Sequence, residues 1–82
     1  MSETYRRLAD LLVARFDVPA AQVEPDVSLA DLDLDSLAVI ELFVVAQEQW
    51  RIPLDEAGAV GTLTVRRVAE LIDEGLDLDE AS

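Results

Sequence analysis

The residues of this chain best suited to chemistry form one short acidic run that ends in a serine. Asp31, Asp33 and Asp35 alternate with leucines, and Ser36-Leu37 follow directly. At the predicted start of a helix, a serine hydroxyl lies beside unpaired backbone N–H groups and the positive end of the helix dipole, which suits a phosphate ester. The alternative is that Asp35 or Ser36 only caps the helix, since Asp and Ser lead the N-cap preferences.

A second feature lies on the helix that follows this serine. At 3.6 residues per turn, one stripe opposite the predicted core stripe consists of Leu37, Glu41, Val44 and Glu48. Two acidic and two apolar residues on one exposed face suit a partner with a basic surface and an apolar depression. The alternative is an ordinary solvated face, and spacing alone does not separate the two.

The alternating aspartates also resemble a calcium loop, but only superficially. An EF-hand requires Gly at the sixth loop position and a bidentate Glu at the twelfth. Counted from Asp31, those positions hold Ser36 and Leu42, so we expect no dedicated metal site. Paired carboxylates also serve as acid and base in glycosidases, but a chain this small offers little concave pocket. We therefore expect no enzyme activity.

Composition excludes most chemistry that side chains perform unaided. The chain has 82 residues, with six Arg against 18 Asp and Glu, no Lys, His or Cys, and a net charge of −12. It therefore lacks an imidazole base, a thiol nucleophile, a zinc cluster and a Schiff-base amine. Apolar residues form 51% of the chain, too many for a disordered protein. The charge opposes binding to nucleic acid or anionic membranes and favours partners with a basic patch.

The three-four spacing of apolar residues predicts the elements that position the serine. Helices are predicted over Thr4 to Phe16, Ser36 to Trp50 and about Thr64 to Asp73, with a short helical turn from Asp55 to Val60. Thr64 is the predicted N-cap of the last helix and Gly75 its C-cap, and the acidic tail 76–82 is expected to fray. The predicted inward residues are Tyr5, Leu8, Leu12, Phe16, Val39, Leu42, Phe43, Ala46, Trp50, Val65, Val68, Ala69 and Ile72.

A long loop from Val18 to Asp35 joins the first two helices. Loops of this length are uncommon in compact domains and often functional. The residues expected to pin it to the core are Val23, Val27, Leu29 and Leu32. Because no stretch alternates convincingly with period two, the sequence predicts a single all-α domain over residues 1–82. It is a small helical bundle of three main helices and one short helix.

On these residues the chain resembles the acyl carrier proteins. In that family, Asp-Ser-Leu at the start of the second helix marks the serine to which phosphopantetheine is attached. The resemblance covers nearly the whole chain and includes a Leu8-to-Phe16 helix before a Val-Pro turn, Asp31-Leu32, Asp35-Ser36-Leu37, Glu41-Leu42, Trp50, Ile52-Pro53 and Thr64-Val65. It implies the acyl-carrier-like bundle as the fold.

The resemblance implies that Ser36 accepts 4′-phosphopantetheine from coenzyme A, with Asp35 beside it, and that the arm carries acyl intermediates as thioesters. It implies that Leu37, Glu41, Val44 and Glu48 form the recognition face read by transferases and synthases, with an acidic rim extended by Asp31 and Asp33. The implied partners are a phosphopantetheinyl transferase and acyltransferases, ketosynthases or acyl or aminoacyl ligases with basic docking patches. Such a carrier needs no catalytic side chain of its own.

Departures from the family pattern bear on the type of carrier. Asp33 occupies a position where many members have Gly, and Gln47 one where fatty acid carriers often have an acid. The Leu-Asp-Leu-Asp-Ser-Leu form looks more like carriers of polyketide or peptide pathways than those of fatty acid synthesis. We expect a polyketide-type or related acyl carrier. The alternatives are an aminoacyl or peptidyl carrier and, in a different class, an acidic helical adaptor that binds a basic partner.

The N-terminal residues and the apolar stretches of the chain indicate where the protein is expected to be located. The N-terminal residues lack the basic start and apolar run of a signal peptide. The longest near-apolar stretch, Leu37 to Ala46, is too short to span a bilayer. We expect a free-standing, monomeric, cytoplasmic protein.

Overall fold

Three α-helices form the framework of the computed structural model, which describes the backbone of residues 3–81 and the side chains of residues 3–77. The helices are α1 (Glu3–Phe16), α2 (Ser36–Trp50) and α3 (Val65–Ala81). Single 3₁₀ turns lie between them at Ala20–Gln22, Ala30–Leu32 and Glu56–Gly58. Residues 3–81 contain no strand, only an isolated antiparallel bridge between Ser28 and Thr64. The all-α prediction is confirmed, and the predicted short helix is the third 3₁₀ turn.

The core is built from the apolar stripes of the three helices. The fully or nearly fully buried helical residues are Leu8, Leu12, Val39, Leu42, Phe43, Ala46, Trp50, Val65, Val68, Ala69 and Ile72. Tyr5 and Phe16, also predicted to face inward, are half-buried and pack against this cluster. Each fully buried Leu, Ile, Val or Phe side chain contributes about 1.5–3 kcal/mol relative to exposure, so this cluster holds α2 in place.

The long connection between α1 and α2 packs on the same core. Leu29 and Leu32 are buried, and Val23 and Val27 are half-buried against the cluster, as the sequence predicted. Leu34 is buried too, two residues before α2. The connection is therefore anchored along its second half, up to the start of the helix that carries Ser36.

Backbone hydrogen bonds tie this connection to the segment around the start of α3. Four of them join the connection to residues 61–66, which include the first two residues of α3. They run from Leu29 N–H to Leu63 O (2.9 Å), Ala30 N–H to Gly61 O (2.9 Å), Val65 N–H to Val27 O (3.0 Å) and Arg66 N–H to Pro25 O (3.0 Å). They satisfy buried polar groups that the irregular chain would otherwise leave unpaired. The approach to α2 is thus fixed by both backbone bonds and buried leucines.

Helix α3 begins as predicted and ends later than predicted. The Thr64 hydroxyl accepts a hydrogen bond from Arg67 N–H at 3.1 Å, which confirms the N-cap. The predicted end at Asp73, with Gly75 as C-cap, is wrong, because the helix continues to Ala81. Gly75 has no positive φ and lies inside the helix, buried against Ile52. The segment 76–81, which we expected to fray, is helical, and Ser82 lies outside the described residues.

Among the helices of the described residues, none combines the length and apolar character that a membrane-spanning helix needs.

We expect Gly75→Ala to lower the free energy of unfolding by about 1 kcal/mol. In an open helix this change stabilises by about 1 kcal/mol, but here the new Cβ would lie 2.9 Å from Ile52 Cδ1 and 3.1 Å from Ile52 Cβ. Overpacking of this kind costs about 1–3 kcal/mol. Urea unfolding followed by circular dichroism measures the change.

The control is Gly58→Ala, because a Cβ at Gly58 meets nothing within 4 Å and should leave stability nearly unchanged. Adding Ile52→Val, which removes Cδ1, should make the alanine at position 75 less costly. A stabilised Gly75→Ala variant would show that the contact with Ile52 does not explain this glycine.

Candidate functional site

The backbone turns just before α2, and Asp33 makes that turn. The 3₁₀ turn Ala30–Leu32 ends at Asp33, whose φ of 63° and ψ of 25° are left-handed, and whose N–H donates to Ala30 O at 3.0 Å. Glycine adopts this conformation without steric cost, and Asp and Asn do so more readily than most other residues. Asp33 therefore adopts a backbone conformation that suits glycine, and its side chain places a carboxylate at this turn.

The alternation of the acidic run separates its leucines from its aspartates. Leu32 and Leu34 are buried, whereas Asp31, Asp33 and Asp35 are exposed. The leucines anchor the run to the core, and the carboxylates form an acidic rim at the N-terminal end of α2. The predicted rim residues thus all reach solvent within residues 31–35, directly before Ser36.

Capping of α2 falls to Asp35 and not to Ser36. Asp35 has an extended backbone, and its Oδ1 accepts a hydrogen bond from Ala38 N–H at 2.7 Å. Its carbonyl accepts the first intrahelical bond, from Val39 N–H at 2.9 Å. A cap of this type is worth about 1 kcal/mol. The alternative in which Ser36 itself is the cap is excluded by this geometry.

Ser36 is the first residue of α2 and its side chain is exposed. Among residues 3–77, its hydroxyl has no hydrogen-bond partner. Ser28 differs, because its Oγ accepts a hydrogen bond from Asp31 N–H at 3.2 Å. An exposed hydroxyl that makes no hydrogen bond to these residues is accessible for esterification.

The surroundings of Ser36 fit a phosphate ester. The first helical N–H groups, those of Ser36 and Leu37, precede any intrahelical acceptor and lie at the positive end of the α2 dipole. This end favours the negative charge of a phosphodiester, while the nearby rim carboxylates oppose it. Because Ser36 is exposed, a bulky group attached to Oγ meets no steric barrier from the core. The residues present therefore fit phosphopantetheine.

The predicted face of α2 is exposed along its length. Leu37, Glu41, Val44 and Glu48 all reach solvent, with Leu37 72% exposed. Ile40, which the sequence reading did not include, is 40% exposed. Ile40 lies three residues after Leu37 and four residues before Val44, so helical spacing places it on the same side of the helix. We call these five residues the α2 face.

The carboxylates of the rim and the α2 face have no cationic partner in the described part of the chain. Ion pairs among residues 3–77 join Arg66 to Asp26 at 2.9 Å, and Arg67 to Glu70 and Glu74 at 3.3 and 3.0 Å. The site's carboxylates, which take part in none of these, are those of Asp31, Asp33, Asp35, Glu41 and Glu48. Their field is therefore not cancelled locally and is available to attract a basic partner.

The aspartates of the rim do not form a metal cage. Across the described residues, no group of three or more acidic side chains is arranged to hold a metal ion.

Comparison with known proteins gives a family match over most of the chain. The family model described as the phosphopantetheine attachment site matches residues 6–73. An acyl carrier protein of Streptomyces coelicolor is 37% identical over 71 residues, which cover 84% of this chain and 77% of the relative. One of Thermobifida fusca is 34% identical over 68 residues, covering 82% and 86%. One of Picosynechococcus is 30% identical over 73 residues, covering 88% and 90%.

We expect Asp33→Gly to raise the free energy of unfolding by about 0.5–1 kcal/mol, because glycine adopts left-handed φ without steric cost. The matched control is Asp31→Gly, which removes the same charge at a residue without positive φ, and which should destabilise by a similar amount. Urea unfolding of both variants measures the difference. Equal stabilisation of the two would indicate relief of charge repulsion instead of relief of backbone strain.

Proposed function

The chain belongs to the acyl carrier protein family, and from this premise we propose that Ser36 is the residue that accepts 4′-phosphopantetheine. Members of the family are carriers and not catalysts, and their phosphopantetheine attachment domain carries this group. When bound, the group supplies a thiol that holds acyl groups as thioesters. The observation that carries the proposal is the exposed Ser36 hydroxyl, which has no partner among residues 3–77, at the start of a helix capped by its neighbour.

The chain supplies the nucleophile and its position. Loading forms a bond between Ser36 Oγ and the phosphorus atom of coenzyme A that carries the pantetheine. The pyrophosphate P–O bond to that phosphorus breaks, and the nucleotide half of coenzyme A leaves as adenosine 3′,5′-bisphosphate. The serine proton leaves to a base on the transferase, since this chain has no His or Lys and Asp35 Oδ1 already accepts from Ala38 N–H. Asp35 is therefore a positioning residue. It holds the first turn of α2, so that Ser36 projects from a fixed backbone.

The α2 face is the proposed docking surface for the transferase and for the enzymes that use the loaded carrier. Its apolar members, Leu37, Ile40 and Val44, offer a contact surface that begins next to Ser36. Glu41 and Glu48 flank this surface with carboxylates that form no ion pair among residues 3–77. Basic patches on acyltransferases, ketosynthases or acyl ligases complement such a surface, which speeds encounter while binding stays weak enough for release.

The proposed type of cargo rests on two positions at which the sequence departs from the pattern of the family. Asp33 in place of glycine and Gln47 in place of an acid support a polyketide-type or related acyl carrier more than one of fatty acid synthesis. An aminoacyl or peptidyl cargo is the alternative. Loading from coenzyme A supports a cytoplasmic location, and the net charge of −12, which makes copies repel, supports a monomer.

We expect Ser36→Ala to abolish loading while leaving stability unchanged within about 0.5 kcal/mol, as for surface changes that break no contact. Intact-mass spectrometry after incubation with coenzyme A and a promiscuous phosphopantetheinyl transferase measures loading. The matched control is Ser28→Ala, which loses the hydrogen bond to Asp31 N–H but should still gain one phosphopantetheinyl group.

Loading of the Ser36→Ala variant would contradict the assignment of the serine. Failure of the wild type and the Ser28→Ala variant to load, beside an active control carrier, would favour the acidic adaptor instead.

We expect Glu41→Arg and Glu48→Arg each to lower kcat/KM of the transferase by about tenfold at low salt, because charge reversal weakens steering toward a basic surface. The deficit should shrink as salt rises, since screening removes the same attraction from the wild type. Glu24→Arg is the control, because it makes the same charge change on an exposed loop residue away from α2. Equal losses of kcat/KM in all three variants would show that the effect arises from net charge alone. That result would contradict the α2 face as the docking surface.

A further inference from the structure

A groove of about 310 Å³ lies between α1 and the C-terminal end of α2. Its wall on α1 includes Arg7, Leu11 and Arg15, which helical spacing places on one side, with Asp10 beside them. Gln49 and Trp50 form the opposite wall. Neither the rim nor the α2 face contributes to it.

The two arginines of the groove lack ionic partners in the described part of the chain. Arg66 and Arg67 do form ion pairs there, whereas Arg7 and Arg15 form none. The guanidinium carbon of Arg7 lies 5.5 Å from the centroid of the Trp50 ring, a cation–π contact. Arg15 lies in the last turn of α1, where the helix dipole favours a cation. Neither the ring nor the helix dipole supplies a carboxylate that would form an ion pair with these arginines. The chain has 18 acidic residues against six arginines, so acidic side chains are not scarce.

Among the residues that line the groove, positive charge exceeds negative charge, although the whole chain is negative. Trp50 follows Ser36 by 14 positions on one helix, which at a rise of 1.5 Å per residue separates them by about 21 Å. The Debye length at physiological ionic strength is about 8 Å, so the rim beside Ser36 contributes little to the field at this end. Asp10 is the single carboxylate among the residues that line the groove. Two guanidinium groups therefore outweigh one acid.

We propose that this groove is a second docking site, which binds an acidic segment of a partner protein. Carboxylates of that segment would pair with Arg7 and Arg15, since guanidinium groups bind carboxylates with paired hydrogen bonds. An apolar side chain between those carboxylates would contact Leu11 and the edge of Trp50. Charge complementarity with the lining selects an acidic occupant, because a basic segment is repelled by the two arginines. A short segment is favoured over a second copy of the chain, because a second copy brings its whole net charge of −12 against the same charge here.

The second site has a functional consequence that does not depend on the modification of Ser36. Because the groove and the rim lie at opposite ends of α2, a partner held in the groove leaves Ser36 and the adjacent part of the α2 face accessible. A protein docked there would hold the chain near other partners and raise their effective concentration.

Trp50 is the single tryptophan of the chain and lines the groove, so its fluorescence reports occupancy directly. The probe is a capped synthetic peptide that repeats Asp-Leu-Glu-Glu and contains no aromatic residue. The titrated protein carries Ser36→Ala, so that loading plays no part in the result. We expect a saturable change in Trp50 emission at low salt that weakens as salt rises.

Variants locate the binding site. Arg7→Gln with Arg15→Gln should weaken binding by about tenfold or more, whereas the matched Arg66→Gln with Arg67→Gln, which removes the same charge from α3, should change it less than about twofold. Arg15→Gln alone retains the contact between Arg7 and Trp50, so it tests the groove without altering the environment of the reporter. Urea unfolding verifies that each variant is folded.

Several outcomes would overturn the proposal. One is the absence of a saturable change at low salt in the Ser36→Ala protein that keeps all its arginines. Another is equal weakening of binding by the two double variants, which would show that the effect arises from net charge alone. Sedimentation of the protein without peptide tests the other possible occupant of the groove, which is a second copy of the chain. Self-association that is lost in the Arg7→Gln, Arg15→Gln variant would assign the groove to a second copy of the chain and not to a partner protein.

Discussion

The hydrogen bond from Ala38 N–H to Asp35 Oδ1 is the interaction on which the site depends. At 2.7 Å it caps α2 and thereby releases Ser36 from the role that serines at helix starts usually have. The left-handed turn at Asp33 and the buried leucines on either side of it deliver the chain to this cap in one orientation. The proposed nucleophile is thus positioned by its neighbours, while its own hydroxyl makes no hydrogen bond to the part of the chain that the structure describes.

Charge is distributed along α2 in a way that stability alone does not require. Carboxylates that form no ion pair within the described residues line the rim and the α2 face. Like charges at such spacing destabilise a folded chain. The guanidinium groups of Arg7 and Arg15 line a groove at the other end of this helix, where the lining includes one acid, Asp10. We therefore propose basic partners for one end of the bundle and an acidic segment for the other. A small domain without catalytic side chains acts through surfaces of this kind.

The sequence predicted the parts of the fold that follow from local spacing, including both ends of α2, its inward residues and the Thr64 cap. It did not predict the length of α3, because the role of Gly75 depends on contact with Ile52, which is distant along the chain. Ile40 was not included in the α2 face, because an apolar residue in a helix gives no sign of its exposure until its neighbours are placed. The choice between Asp35 and Ser36 as cap required backbone geometry, since both residue types cap well.

The most direct test of the central claim is fragmentation mass spectrometry of the wild-type chain after reaction with coenzyme A and a phosphopantetheinyl transferase. Peptide fragments locate the added group without any substitution that could disturb the fold. We expect a single phosphopantetheinyl group, carried entirely by the fragment ions that contain Ser36. A group on another residue, such as Ser28 or Thr64, or no group beside an active control carrier, would contradict the assignment of Ser36 as the attachment site.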